Sequence, residues 1–201
     1  MIDQNWVYLA VAMNLVGALI YAYSVVRGKT RPNRVTWGVL SVAPIVAFAA
    51  MMVQGVTFAQ SVFTLATGLS PLIIFMSTFF ARQPKWKITR FDMACGALSL
   101  VGLALWILLR EGDVAIVFSI VADALAFLPT LVKAFHHPET ESPWAFMMGV
   151  VSSCIALAIL TAHDFTHLAF PLYILLANIV ASLLIYFKLG IILKRAPRSY
   201  L

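Results

Sequence analysis

Apolar residues run along this chain in seven blocks, parted by short polar stretches. The blocks fall at roughly residues 6 to 26, 35 to 54, 57 to 81, 92 to 110, 114 to 135, 143 to 162 and 168 to 188. A helix needs about 20 apolar residues to cross the hydrocarbon core of a bilayer, so the pattern predicts seven transmembrane helices and an all-α fold. The breaks carry turn residues and charge. Gln54 and Gly55 part the second block from the third, and "GKTRPN" and "HHPETESP" follow the first and fifth.

Composition strengthens the membrane reading. Hydrophobic residues make up 62% of the 201, charged residues only 11%, and the mean hydropathy is +0.95. A soluble domain has about 45–50% apolar and about 25% charged residues. The N-terminal "MIDQNWVYLAVAMNL" has no basic flank and no small-residue cleavage site, so it is expected to be a mature first span rather than a signal peptide. Cys95 and Cys154 both lie inside apolar blocks, where the thiol serves as a small hydrophobe rather than a disulfide partner or metal ligand.

Charge then sets orientation. A net +6 would suit nucleic acid only if the basic residues shared one soluble face, and here they are scattered through short loops. With the N-terminus outside, Arg27, Lys29, Arg31 and Arg34 fall in the first inner loop, and Arg82, Lys85, Lys87 and Arg90 in the second. Lys133 falls in the third, and Lys188, Lys194, Arg195 and Arg198 in the C-terminal tail. Of the 14 Lys and Arg, only Arg110 is then outside, as the positive-inside rule requires. The C-terminus is expected in the cytoplasm, and the membrane is expected to be a bacterial inner membrane. Trp37, Trp86 and Trp144 sit at inner ends of blocks and Trp6 and Trp106 near outer ends, the positions of interfacial anchors.

The chain also repeats itself. Aligning "YSVVRGKTRPNRVTW" with "PTLVKAFHHPETESPW", with one insertion, matches Arg27 to Lys133, Pro32 to Pro138 and Trp37 to Trp144. Each half has three helices, and one extra helix between them lets the second half repeat the orientation of the first. The expected organisation is a three-helix unit at 1–87, a linker helix at 88–112 and a second unit at 113–201, a parallel 3+1+3 repeat. This plan, the chain size and the N-out orientation resemble the SWEET and PQ-loop superfamily of small-solute transporters. That family places a proline, often Pro-Gln, in the first helix of each unit. Pro129-Thr130 looks like the second copy, and Tyr23-Ser24 stands where the first would be.

Polar groups inside the blocks are the candidate chemistry. Asp123 lies near the middle of the fifth block, where an ionised carboxylate costs at least ~2.5 kcal/mol unless it is neutral, paired or wetted. It is expected in a polar cavity, as a solute ligand or a proton site, with packing against a neighbouring hydroxyl or amide as the plainer role. Asn14, Asn178, Ser70, Ser152 and Ser153 lie at comparable depth and are candidate solute contacts, although such groups also bond helices to one another. The resemblance implies the same for Asn178, since SWEET proteins use asparagine on the last helix of a unit. Pro44, Pro71 and Pro129 interrupt the second, third and fifth blocks as candidate kinks for gating, or as static bends. In the third inner loop Glu139 and Glu141 are candidates to pair with the basic residues of the neighbouring inner loops and close that side. His136 and His137 complete no diagnostic metal spacing. His163, Asp164 and His167 are expected to cap the last outer loop.

The expected function is a transporter moving a small polar solute by alternating access, as a passive uniporter. The alternatives are proton-coupled transport through Asp123, of an amino acid-like solute for instance, and a sorting receptor like the KDEL receptors, which resemble the same plan. Such a receptor needs a mid-membrane Arg or Lys, and the blocks offer none. Nucleophile–base pairs and paired carboxylates at matching depth are missing, which speaks against an enzyme. The expected partners are a small-molecule solute and the lipid bilayer, with homo-oligomers allowed, and neither cofactor, metal nor nucleic acid is expected.

Overall fold

A computed structural model describes residues 5–53, 55, 58–82, 86–109, 112–160 and 165–195. Gln54, Lys85, Arg110, His163, Asp164 and Arg198 lie outside the described residues, as do the side chains of Trp106, His167, Lys194 and Arg195. The described chain is all-helical. Its elements are α1 (Trp6–Val26), α2 (Arg34–Val53), α3 (Phe58–Ser77), α4 (Arg90–Leu109), α5 (Gly112–His136), a 3-10 turn at Pro138–Thr140, α6 (Trp144–Ala158), α7 (Phe165–Tyr186) and α8 (Leu189–Arg195).

Local chemistry sets the helix ends. α1 stops where Gly28 takes φ +76°, a left-handed conformation that only glycine adopts without strain, and its N–H donates to Val25 O at 2.9 Å. Asn33 caps α2, its Oδ1 accepting the Val35 N–H at 3.0 Å. α4 opens on a reciprocal box. The Thr89 N–H donates to Asp92 Oδ2 at 2.7 Å, and the Asp92 N–H donates to Thr89 Oγ1 at 3.2 Å. Between α7 and α8 Lys188 takes φ +51°, and Gly190 lets α8 lie against the backbone of Phe135, because a Cβ there would meet the Phe135 carbonyl oxygen.

Among the described residues four stretches are long and apolar enough to cross a membrane, namely α1, α2, Ile116–His136 of α5 and Leu168–Tyr186 of α7. α6 has 15 residues and rises only about 22 Å at 1.5 Å per residue, short of the ~30 Å hydrocarbon core. The apolar block expected at 143 to 162 therefore contains a shorter helix. Large apolar side chains cover the outside of the bundle, among them Leu19, Val101, Leu176 and Val180, a surface that suits lipid as solvent.

α3 packs against both α1 and α2, and α7 packs against both α5 and α6. α1 meets α6, α2 meets α5, and α4 lies on α5 and α2. The tightly packed core is not central along the helices. Tyr21 and Val25 come from the last turns of α1, Ile74 from the end of α3, Ala134 from the end of α5, Ile185 from the end of α7, and Trp37 and Phe146 from the first turns of α2 and α6. They gather at the end of the bundle that carries the α1–α2 and α5–α6 turns, called the turn end below.

Trp37 corrects one expectation. It is not an interfacial anchor but a core residue, 6% exposed, with its ring 5.1 Å from Tyr21 and 5.8 Å from Phe146. Three aromatic rings from three helices fill this end more completely than a lipid-facing indole could. Trp6 and Trp144 are about half exposed, as anchors are.

Candidate functional site

Away from the turn end the bundle opens into a cavity of about 360 Å³. Its wall takes residues from all seven long helices, including Asn14 of α1, Pro44 of α2, Thr67 of α3, Ser99 of α4, Asp123 of α5, Ser152 of α6 and Asn178 of α7. On α3, α5 and α7 most of the lining residues lie in the first halves of the helices, up to Thr67, Ala126 and Asn178, and on α2 and α6 they begin more than a turn in from the turn end, at Val39 and Gly149. The cavity thus occupies the centre of the bundle and the half opposite the packed core.

Asn14, Asp123, Ser152 and Asn178 line this one space. Ser70 does not line it but stands behind it, donating to Asn14 Oδ1 and so fixing that amide. The Ser152 hydroxyl donates to Gly149 O at 3.1 Å, and Asn178 Nδ2 donates to Ile174 O at 2.9 Å. Gly149 is required here: a Cβ at that position would come within 2.5 Å of Asn178 Oδ1. Its absence lets α6 approach the asparagine of α7. Pro44 lines the cavity, whereas Pro71 and Pro129 are buried within α3 and α5 and are not part of the wall.

Several residues of the site were not foreseen. Tyr173 of α7 donates its phenolic O–H to Asp123 Oδ2 at 2.8 Å, and among the described residues it is the only hydrogen-bond partner of that carboxyl. Phe170, whose ring lies 6.0 Å from that of Tyr173, lines the cavity together with Pro171, Phe63 and Ser119. In the sequence Tyr173 and Pro171 are indistinct from the apolar block around them. Ser119 did carry a signal, lying one helical turn before Asp123 and so on the same face.

The turn end holds a second polar cluster, fully enclosed. Lys133 Nζ lies 2.7 Å from Glu141 Oε1, with the two side chains 2% and 0% exposed. Tyr21 of α1 donates to Glu141 Oε2, and Lys133 also donates to the carbonyl of Arg31 in the α1–α2 turn. The Arg31 N–H returns a bond to Thr140 O at 2.9 Å, and the Trp86 ring covers the Lys133 ammonium at 4.6 Å. The expected pairing of Glu139 and Glu141 with basic side chains of the neighbouring loops is therefore replaced. Glu141 takes the lysine of its own helix-turn-helix, the α1–α2 turn contributes a backbone carbonyl, and Glu139 is exposed beside His137 at 3.4 Å. A buried carboxylate needs a counter-charge and hydrogen-bond donors within reach, and Lys133 and Tyr21 supply them here. With Glu141 turned inward and the His136 ring against Val132 O, the four polar residues of this turn do not converge on a shared point.

No protein-family model, curated protein or solved structure matches the chain.

Proposed function

We propose that this chain is a membrane transporter that moves a small polar solute by alternating access between two three-helix units, residues 1–87 and 113–201, linked by the helix within 88–112. The observation that carries the reading is a central cavity walled by both units, lined by Asn14, Asp123, Ser152 and Asn178 and sealed at one end by aromatic and ionic contacts. The packing supports the repeat. Exchanging α1, α2 and α3 for α5, α6 and α7 turns the α1–α3 and α2–α3 contacts into α5–α7 and α6–α7, and turns α1–α6 into α5–α2. That is what a pseudo-two-fold axis along the membrane normal produces. It also supports the resemblance to the SWEET and PQ-loop plan and a crossing number of seven.

The sealed turn end then corresponds to the cytoplasmic side, since its loops carry most of the basic residues. The conformation is one in which the solute site faces outward. Transport requires the Lys133–Glu141 cluster to part while the opposite side closes, and the prolines inside α2, α3, α5 and α7 are places where the helices can bend.

Passive uniport is the simplest mode. The Asp123–Tyr173 pair favours a second mode, proton coupling, because its carboxyl has no basic partner among the described residues. Reconstitution of the full chain in liposomes tests both. Solute counterflow by the wild type supports the transporter, and its absence across sugars, amino acids, vitamins, nucleosides and amines counts against it. If an imposed pH gradient drives accumulation, and Asp123→Asn removes that accumulation while sparing exchange, transport is coupled. If the gradient has no effect, uniport stands. A tag at residue 201 reached only from the cytoplasmic side, with one at residue 1 reached only from outside, supports the orientation.

A further inference from the structure

The geometry points to an organic cation, an amine or ammonium carried on a compact apolar or aromatic body, as the ligand class of the central cavity. Charge comes first. Asp123 is the single ionisable side chain among the described residues of the wall, and no Lys, Arg or His lines it. An organic anion, or the carboxylate of an amino acid, would enter this space without a counter-charge. An ammonium finds one.

Hydrogen-bond polarity gives the same answer independently. The hydroxyls of Ser119, Thr67 and Ser152 all donate to carbonyls of their own helices, to Ile116 O at 2.7 Å, Thr64 O at 2.8 Å and Gly149 O at 3.1 Å. Asn178 spends an amide donor in the same way on Ile174. What these groups retain toward the cavity is chiefly lone pairs. Such a wall is suited to a ligand that brings donors. The wall keeps some donors as well, the amide hydrogens of Asn14 among them because its Oδ1 accepts from Ser70, but the groups beside Asp123 face the cavity as acceptors, and an ammonium brings donors and nothing else.

The third observation is the aromatic wall beside the carboxyl. Tyr173 binds Asp123 through its hydroxyl, and its ring adjoins Phe170, which lines the cavity, as does Phe63 of α3. Aromatic faces next to a carboxylate attract an alkylammonium through their quadrupoles and accept its apolar body. The volume, about 360 Å³, is at the small end for ligand sites.

The inference deepens the proposed function but does not depend on it for binding. An isosteric series separates the two. Calorimetric titration of the full-length protein in nanodiscs with 2-phenylethylamine, 2-phenylethanol and 3-phenylpropanoate should give amine affinity at least tenfold above the alcohol and above the acid. Asp123→Asn should erase the preference, bringing the amine's affinity down to that of the alcohol. Should that variant fail to fold, Asp123→Ser serves in its place, and the wild-type ranking needs no variant. Equal or tighter binding of the alcohol or the acid overturns the inference, as does no amine binding at millimolar concentration or a preference that survives the loss of Asp123. Liposome uptake reads the other question: amine binding without uptake keeps the ligand class and counts against the transporter. Uptake of a neutral solute with no amine binding does the reverse.

Discussion

The bundle buries one carboxylate midway along α5 and another just beyond its C-terminal end, and treats the two in opposite ways. At the turn end Glu141 lies against Lys133, accepts the Tyr21 hydroxyl, and is closed off by Trp37, Phe146 and Trp86. In the cavity Asp123 has, among the described residues, only the hydroxyl of Tyr173 as partner, and it borders open space. A buried ion pair with its remaining lone pairs satisfied is a closed unit, and its removal is felt as lost structure. A carboxyl bordering an open space with no counter-charge is an incomplete unit, and a ligand completes it. The same side-chain chemistry therefore acts as a latch in one region and as a receptor in the other, and neighbouring groups decide which.

The largest expected effect breaks the latch. Lys133→Met leaves Glu141 buried without its counter-charge, which should cost about 3–5 kcal/mol, read as a lowered midpoint of chemical or thermal unfolding in detergent. The paired change Lys133→Met with Glu141→Leu should recover most of that loss, since neither charge then remains. A single variant as stable as the wild type would mean that the two clusters do not differ in kind.

Next is the contact that shapes the cavity. Gly149→Ala places a Cβ about 2.5 Å from Asn178 Oδ1, and overpacking of this sort costs about 1–3 kcal/mol. Adding Asn178→Ala should relieve the strain, giving a double variant more stable than Gly149→Ala alone. If relief does not appear, α6 and α7 are not held apart by that side chain.

Tyr173→Phe sharpens the comparison more than it breaks it. The Asp123 carboxyl loses a donor, but the cavity admits water, so the loss of stability should be about 1 kcal/mol, the low end for an unsatisfied polar group. A loss as large as that of Lys133→Met would show that Asp123 is sealed like Glu141. The smallest effect belongs to Glu139→Gln. Glu139 is 56% exposed beside His137, and the change should stay within about 0.5 kcal/mol of the wild type, which isolates Glu141 as the carboxylate that closes the turn end.

How far the chain could be read in advance follows from these residues. Helix positions were legible because an apolar block of given length leaves little choice of backbone: α1 falls at the expected 6 to 26, and the others shift by a few residues except where α6 stops early. The candidate polar residues were legible by type, since Asn14, Asp123, Ser152 and Asn178 are costly in an apolar block and must share a wet or bonded space. Ser70 shows the limit. Its depth was right, yet facing Asn14 rather than the cavity depends on the rotation of α3 against α1, which spacing along the chain does not state.

What the sequence alone determined is the class of solvent, the all-helical backbone, and the short set of groups too polar to be left against lipid. All of these follow from the one-dimensional cost of placing each residue in an apolar medium. Only the tertiary structure decided that Glu141 pairs with Lys133 rather than with a basic side chain of the neighbouring loops, that Trp37 is core, and that Tyr173 is the partner of Asp123. Partner choice depends on distances of a few ångströms between helices 50 or 120 residues apart in the chain. At that separation helix packing, not sequence spacing, sets which groups meet, because electrostatics and hydrogen bonding fall off within the width of a single side chain.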